Sequence, residues 1–316
     1  MSQRVYLAGH HGLLGGALTR VLGDDPSVEF VHTEAEAPDL RDPAATRASI
    51  TQARPDVLVL AAARVGGLGA NLADPVGFFA DNMRIELNVL EAALAAGVGR
   101  VLFVGSANAY PHDAAQPIQE AALGMGPLDQ NTESYGLAKL AGIRLCDAYR
   151  RQHGVTYHSV VPCNLYGPGD RFDSRTAHLV AASLQRFKSA LEDGAPSVTV
   201  WGSGEQRRQL LYVDDLARAC AVLLALDDPP THVNAGPSGD TSVRELSEIA
   251  AQTVGFDGLI EYDRSEPEGV LKRELDTTLA RSLGWTPEVT LQDGLQSTWD
   301  WYQSSTIAHH SEETLA

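Results

Sequence analysis

Short, continuous apolar runs alternate along the first half of the chain with longer stretches whose apolar residues return at helical spacing. Runs of the first kind read as strands buried on both faces, and stretches of the second as amphipathic helices. Strands are expected at Arg4–Gly9, at VEFVHT from Val28, at Asp56–Ala63, at Arg100–Ser106 and at VTYHSVVPCNLYGP from Val155. Helices are expected over Leu13–Leu22, over a long stretch from Phe78 closed by Gly97, and from Glu133 to a stop at Gly154. This alternation builds an α/β fold, a doubly wound parallel sheet with its ligand at the carboxyl ends of the strands.

Past Gly167 the pattern is less regular. SVTVWGSGEQRRQLLYVDD reads as two short strands around a glycine-rich turn, with helices near Leu216–Leu226 and Val243–Val254 and a short strand at His232–Gly236. The expected organisation is a large lobe over 1–166 and a smaller C-terminal α/β lobe over 167–302 that closes on it, with some strands exchanged between the two. The polar, aperiodic stretch 303–316 is expected to be a disordered tail.

Composition narrows the partners. The 316 residues are 44% hydrophobic and 21% charged, an ordinary globular balance. A formal charge of −17 excludes nucleic acid and anionic membrane surfaces as general partners, so a small anionic ligand would need a local cluster of Arg and Lys. Cys146, Cys163 and Cys220 are far apart and form no CxxC pair, which argues against a disulfide framework or a zinc site. MSQRVYLAGH runs into the first strand without the apolar core of a leader, and no stretch approaches membrane-spanning length. A soluble cytoplasmic protein is expected.

GHHGLLG sets Gly9, Gly12 and Gly15 between the first strand and the first helix. A side chain at such positions would keep the backbone away from a pyrophosphate, while the helix N-terminus offers it N–H donors and the positive end of a dipole. The lobe 1–166 is therefore expected to be a dinucleotide-binding, Rossmann-type domain. An acidic residue after the second strand suits a free ribose hydroxyl, and arginines there suit a 2′-phosphate. Glu34 is present and no arginine precedes Arg41, which leans toward NAD, although His11 and His32 could touch a phosphate. Glu34 reads equally well as a solvated turn carboxylate. Asp39 and Leu40 are candidates for the adenine edge.

SYGLAK places Tyr135 and Lys139 one turn apart on one helix face. A phenol near pKa 10 is a poor acid–base group at neutral pH unless a cation stabilises its anion. Lys139 supplies that cation, and Ser106, at the end of the fourth strand, supplies a hydroxyl to hold a substrate oxygen. Together with the glycine loop upstream, this is a proton-transfer site beside a dinucleotide.

Glycine loop, strand-end serine and Tyr/Lys pair together resemble the extended short-chain dehydrogenase/reductases acting on nucleotide-activated sugars, and within them the GDP-L-fucose synthases, NADPH-dependent 3,5-epimerase/4-reductases. The resemblance runs to about Tyr302 through RVYLAGHHGLLGGAL, AAARVGGLGAN, NMRIELNVLEAA, SYGLAKLAGIRLCDAY, PCNLYGPGDRF, HLVAASLQRF, VWGSGEQRRQLLYVDDLA and LGWTPEVTLQDGL. It implies that Gly9, His11, Gly12, Leu13, Leu14, Gly15, Ala61, Ala62, Ala63, Pro162, Asn164 and Leu165 line the cofactor, NADPH or NADH. It makes Ser106, Tyr135 and Lys139 the reductase triad, with Tyr135 protonating the sugar C4 oxygen, and His178 the acid of epimerisation. Val65, Gly66 and Asn164 would face the sugar, and Arg186, Trp201 and Arg208, assisted by Lys272 or Arg273, would hold the nucleotide diphosphate. It also implies a homodimer joined through Phe78–Ala96 and Glu133–Arg151.

Two departures stand out. The family's epimerisation base is a cysteine two residues after the triad serine, and Asn108 stands there. A carboxamide has no ionisation with which to take a proton from the carbon beside a ketone. The expectation is a 4-ketoreductase of a GDP- or dTDP-linked 4-keto-6-deoxyhexose without 3,5-epimerase activity. The alternatives are the full bifunctional enzyme, with His178 as sole acid–base group, or an NAD-dependent nucleotide-sugar epimerase; SANAYP lacks the acidic pair of a dehydratase. The second departure is at the family's adenosine-phosphate arginines, whose places are taken by His11, Thr33 and Ala35, which leaves coenzyme preference open.

Overall fold

The computed structural model describes residues 2–31, 37–173, 177–265 and 270–314, with side chains described to Ser305. In chain order the elements are β1 (Gln3–Ala8), α1 (Leu13–Leu22), β2 (Val28–Phe30), α2 (Pro43–Ala53), β3 (Val57–Leu60), α3 (Leu68–Ala73), α4 (Pro75–Ala95), β4 (Arg100–Val104), α5 (Glu133–His153), β5 (Thr156–Pro162) and β6 (Asn164–Tyr166). They continue with α6 (Leu179–Glu192), β7 (Ser197–Trp201), β8 (Arg207–Arg208), β9 (Leu210–Tyr212), α7 (Val213–Ala225), β10 (His232–Ala235), β11 (Thr241–Ser242), α8 (Val243–Val254), β12 (Leu259–Asp263), β13 (Lys272–Arg273), α9 (Thr278–Ser282) and α10 (Leu291–Thr314). A six-stranded parallel sheet in the order β10-β5-β4-β3-β1-β2 is the doubly wound centre, as the alternation predicts. Val57 to Leu60 and Val101 to Phe103 are at most 1% exposed, which explains why those strands are continuously apolar.

Two strand pairings join distant parts of the chain. β10 comes from the second half of the chain yet pairs with β5 at the edge of the central sheet. The single apolar run expected from Val155 is divided between two sheets. Pro162, with no N–H to give, closes β5, and the next residues form β6, which pairs with β9. A second core of Tyr166, Leu184, Phe187, Leu246, Phe256 and Trp299 underlies the smaller lobe, whose other sheets are β12-β7 and β11-β8-β13.

Helix α2 has a clear start in the sequence, Asp42 as N-cap accepting from Ala44 and Ala45 with Pro43 at the first helical position, but its periodicity is weak. Helix α5 ends where Gly154 takes a left-handed conformation, φ 68°. Helix α10 continues through 303–314, where a disordered tail is expected. No Gly or Pro interrupts that stretch, and the helix is anchored upstream by Leu295 and Trp299 in the second core. Among the described residues no helix is long and apolar enough to cross a membrane.

Candidate active site

The glycine loop lies between β1 and α1. Gly9 has φ 96°, and a Cβ there would sit 2.7 Å from the Ala62 nitrogen. A Cβ on Gly15 would reach within 2.1 Å of the Gly9 carbonyl oxygen. The chain thus needs glycine at both positions for β1, the loop after β3 and the start of α1 to close on one another. Gly12 caps α1 without a side-chain hydrogen bond, so the first-turn N–H groups of Leu13, Leu14 and Gly15 face the loop mouth. This cradle fits a dinucleotide pyrophosphate at the carboxyl end of the sheet. Ala61 follows β3, bonded to the Ala8 carbonyl at 3.0 Å, and with Ala62 and Ala63 it is half-buried on the same edge. Pro162 is buried at the end of β5, while Asn164 is exposed and Leu165 half-buried on β6. His11 is exposed, its ring 3.9 Å from that of His10.

Near the adenosine end, Glu34 lies outside the described residues. Asp39 grips Arg41 through two 2.9 Å contacts, and this hydrogen bonding holds its carboxyl down at about 2. Arg41 also lies 3.7 Å from Asp81, so the first arginine after β2 is already committed to carboxylates. The Leu40 carbonyl accepts from Asn88 at 3.0 Å, which fixes this segment against α4.

Ser106, Tyr135 and Lys139 lie together at the end of β4 and on α5. Ser106 caps a short 3-10 turn over Ala107–Ala109, its hydroxyl accepting from the Asn108 N–H at 3.2 Å. The Ser106 hydroxyl stands near enough to the Tyr135 phenol to favour its anion. Lys139 is 2% exposed; its Nζ donates to the Val104 carbonyl at 3.1 Å and lies 6.0 Å from the Tyr135 ring centre. Burial pushes the Tyr135 phenol above its usual range, while the Lys139 charge and the Ser106 hydroxyl draw it down. Phe78 packs edge-on against the Tyr135 ring, and the Arg64 guanidinium covers Phe78. Val65 and Gly66 are half-buried beside that ring; a Cβ on Gly66 would lie 3.1 Å from it.

Asn108 is not free. Its Oδ1 accepts from Arg273 of β13, so the amide is tied to the second lobe. In the parallel pairing of β13 with β8, Lys272 lies opposite Arg207 and Arg273 opposite Arg208. Alternation along the strands therefore sends Arg208 and Arg273 to one face and Lys272 to the other. Lys272 is spent on Asp240 at 3.2 Å and Glu274 at 2.7 Å, away from Asn108. The cation beside Asn108 is therefore Arg273, while Lys272 is held by carboxylates on the other face. Arg273 and Arg208 are half-buried side by side with one carboxylate, Asp129, 3.8 Å from Arg273. Burial and the neighbouring guanidinium lower Arg208 to about 10, and Asp129 works against that.

His178 sits at the N-cap of α6, and its Nδ1 lies 2.9 Å from Asp170 Oδ1. Burial disfavours its cation, but the Asp170 hydrogen bond and charge outweigh that and raise its pKa. The backbone before it touches the loop after β3: a Cβ on Gly67 would lie 2.9 Å from the Ala177 carbonyl oxygen. Arg186, on α6, is held low by burial alone. Trp201, at the end of β7, is 62% exposed, so its ring is not part of the core. Sequence reasoning missed Asp170, Asp129 and Glu86. Glu86, in the apolar face of α4, is 3.3 Å from Lys139 Nζ and 1% exposed.

This fold and site define a dinucleotide-dependent oxidoreductase of the short-chain dehydrogenase/reductase type, working with NADPH or NADH. The chain belongs to the NAD dependent epimerase/dehydratase family, whose model matches residues 5–236. It is 42% identical over 302 residues to GDP-L-fucose synthase 1 of Arabidopsis thaliana, covering 95% of this chain and 93% of that protein. It is 41% identical to the GDP-L-fucose synthase of Escherichia coli strain K12, covering 95% and 96%. Among solved structures, a GDP-mannoheptose C4 reductase from Campylobacter jejuni with NADP bound superposes with a TM-score of 0.86, at 29% identity and with 96% and 98% of the chains covered. The resemblance drawn from the motifs is borne out.

Proposed function

We propose that this protein is an NAD(P)H-dependent 4-ketoreductase of a nucleotide-linked 4-keto-6-deoxyhexose, without 3,5-epimerase activity, serving deoxysugar synthesis. The observation that carries the reading is the pairing of an intact Ser106–Tyr135–Lys139 cluster with Asn108 in place of a thiol. The relatives' names support a GDP carrier, and the half-buried Arg208–Arg273 pair, two guanidiniums beside one carboxylate, supports a diphosphate there.

Gly9, Gly12 and Gly15 would hold the pyrophosphate of a reduced coenzyme, which when bound would supply the hydride for C4. Ser106 orients the C4 oxygen, and Tyr135 gives it the phenolic proton as the carbonyl π bond opens, leaving a tyrosinate beside the Lys139 ammonium. Solvent returns the proton. Asn108, with Oδ1 occupied by Arg273, has only its NH2 group left to offer the sugar, and an amide N–H donates but removes no proton. His178 with Asp170 favours a second reading, residual epimerisation at one carbon with His178 as the sole acid–base group. We also propose a homodimer through α4 and α5, because Val76, Phe79, Leu87 and Leu137 are exposed apolar side chains on those helices.

The test is to incubate the protein with GDP- and dTDP-linked 4-keto-6-deoxyhexoses and each reduced coenzyme. One coenzyme oxidised per sugar, faster with the GDP carrier, is expected. Sugar conversion without net coenzyme oxidation would refute the reductase and favour an epimerase.

A further inference from the structure

Glu86 is the buried ionisable group for which the site so far gives no role. It lies on α4 at 1% exposure, with Oε1 3.3 Å from Lys139 Nζ. Both of its oxygens are buried without a hydrogen-bond partner, and Oε1 has the ion-pair contact with Lys139. The niche for the other oxygen is shaped by Gly142 on α5, where a Cβ would come within 2.7 Å of Oε2 and 2.5 Å of the Phe103 ring. A carboxylate so enclosed, facing a single cation, is costly unless the cation's placement needs it. The ionisable groups facing it, Lys139, Tyr135 and Cys146, all belong to α5. β4 contributes the Phe103 ring, 4.6 Å from Lys139 Nζ, and the Val104 carbonyl. The face of α2 buried against this layer, Thr46, Ser49, Ile50 and Ala53, carries no charge.

We propose that Glu86 is a positioning residue of the reductase site: as the buried counter-ion of Lys139 it holds the ammonium at the Val104 carbonyl and offsets the charge that Tyr135 feels, so that the phenol begins each turnover protonated. This rests on the reading of Tyr135 as the acid that quenches the C4 oxygen. A ketone reductase needs the phenol, not the phenolate, at the start of the cycle. An unopposed Lys139 would favour the phenolate; with Glu86 ionised the Lys139–Glu86 couple is neutral. Burial pushes the Glu86 carboxyl up and the Lys139 ammonium works against that rise, so the carboxylate that balances Lys139 is itself held in its charged form by Lys139.

The test uses Glu86→Gln, nearly isosteric and uncharged, with Glu86→Leu as a second uncharged variant should the amide fold poorly, and Glu86→Asp to restore the charge. Tyrosinate absorbance is titrated in wild type and each variant, subtracting the same protein carrying Tyr135→Phe, and kcat for sugar reduction is followed against pH. In the uncharged variants the Tyr135 midpoint and the alkaline limb of kcat are expected to move down by about one pH unit or more, while KM for the nucleotide sugar stays near wild type and Glu86→Asp returns both toward wild type. A folded, uncharged variant whose Tyr135 midpoint is unmoved or raised overturns the proposal. The tyrosinate titration needs no substrate, so a shifted midpoint in a protein that reduces no sugar would sink the reductase reading and leave the Glu86–Lys139–Tyr135 coupling standing.

Discussion

Replacing Arg273 with Met removes a side chain that ties β13 to the catalytic turn. Arg273 is 11% exposed, donates to Asn108 Oδ1 and lies 3.8 Å from Asp129. A hydrogen bond from a charged donor contributes about 1.5–3 kcal/mol, and the guanidinium is also half of the cation pair proposed to face the diphosphate. If that interaction is made with bound substrate, kcat/KM for the nucleotide sugar falls roughly 10- to 150-fold. Lys272→Met is the internal control. Its ammonium is half-exposed and spends itself on Asp240 and Glu274, so its removal should alter kcat/KM by no more than about fivefold. The assay is steady-state turnover with the sugar varied at saturating coenzyme, alongside melting temperatures to exclude misfolding. The reasoning is refuted if Arg273→Met retains wild-type kcat/KM, or if Lys272→Met is the more damaging of the two.

Asn108→Cys places a thiol beside the Arg273 guanidinium, which favours thiolate. The variant should exchange solvent deuterium into C3 or C5 of the keto sugar, seen by mass spectrometry, and a variant that reduces the sugar without exchange would show that residue 108 is not what separates the two activities. Asp215→Ala should cost about 3–5 kcal/mol in urea unfolding. Its buried carboxylate receives the Glu288 and Val289 N–H groups at 2.9 and 3.0 Å and the Arg218 guanidinium at 2.5 Å, and a loss below about 1 kcal/mol would mean that the segment before α10 has another anchor. His158, 0% exposed on β5, is kept neutral by burial, which depresses its pKa from 6.5 to about 4. The unfolded chain takes the proton first, so stability present above pH 6.5 is lost as pH falls toward 4, by about 3 kcal/mol. His158→Gln should flatten that slope, and an unchanged slope would assign the acid sensitivity elsewhere.

The central sheet was legible because parallel strands buried on both faces leave unbroken apolar runs, and α1 and α8 fall at the expected residues for the same reason of period. Helix α2 was not, since its alanines and threonines barely separate an apolar face; only Asp42-Pro43 marked its start. One helical turn sets Tyr135 against Lys139 in the sequence, but reading a triad also took the glycine loop, the strand-end Ser106 and the family resemblance. That Arg273 and not Lys272 reaches Asn108 depends on the register of β13 on β8, which residues adjacent in sequence cannot supply. Glu86 was invisible for a deeper reason. In the sequence it is one of three carboxylates on a long helix, and only the packing of α4 on α5 puts it next to the ammonium.

The central claim is that the site reduces C4 and leaves C3 and C5 untouched, and it is tested most directly by running the wild-type reaction to completion in deuterated water. The account predicts one coenzyme oxidised per sugar and a product with protium still at C3 and C5. Deuterium at either carbon would contradict it and return proton abstraction to the site, with His178 the group to answer for it.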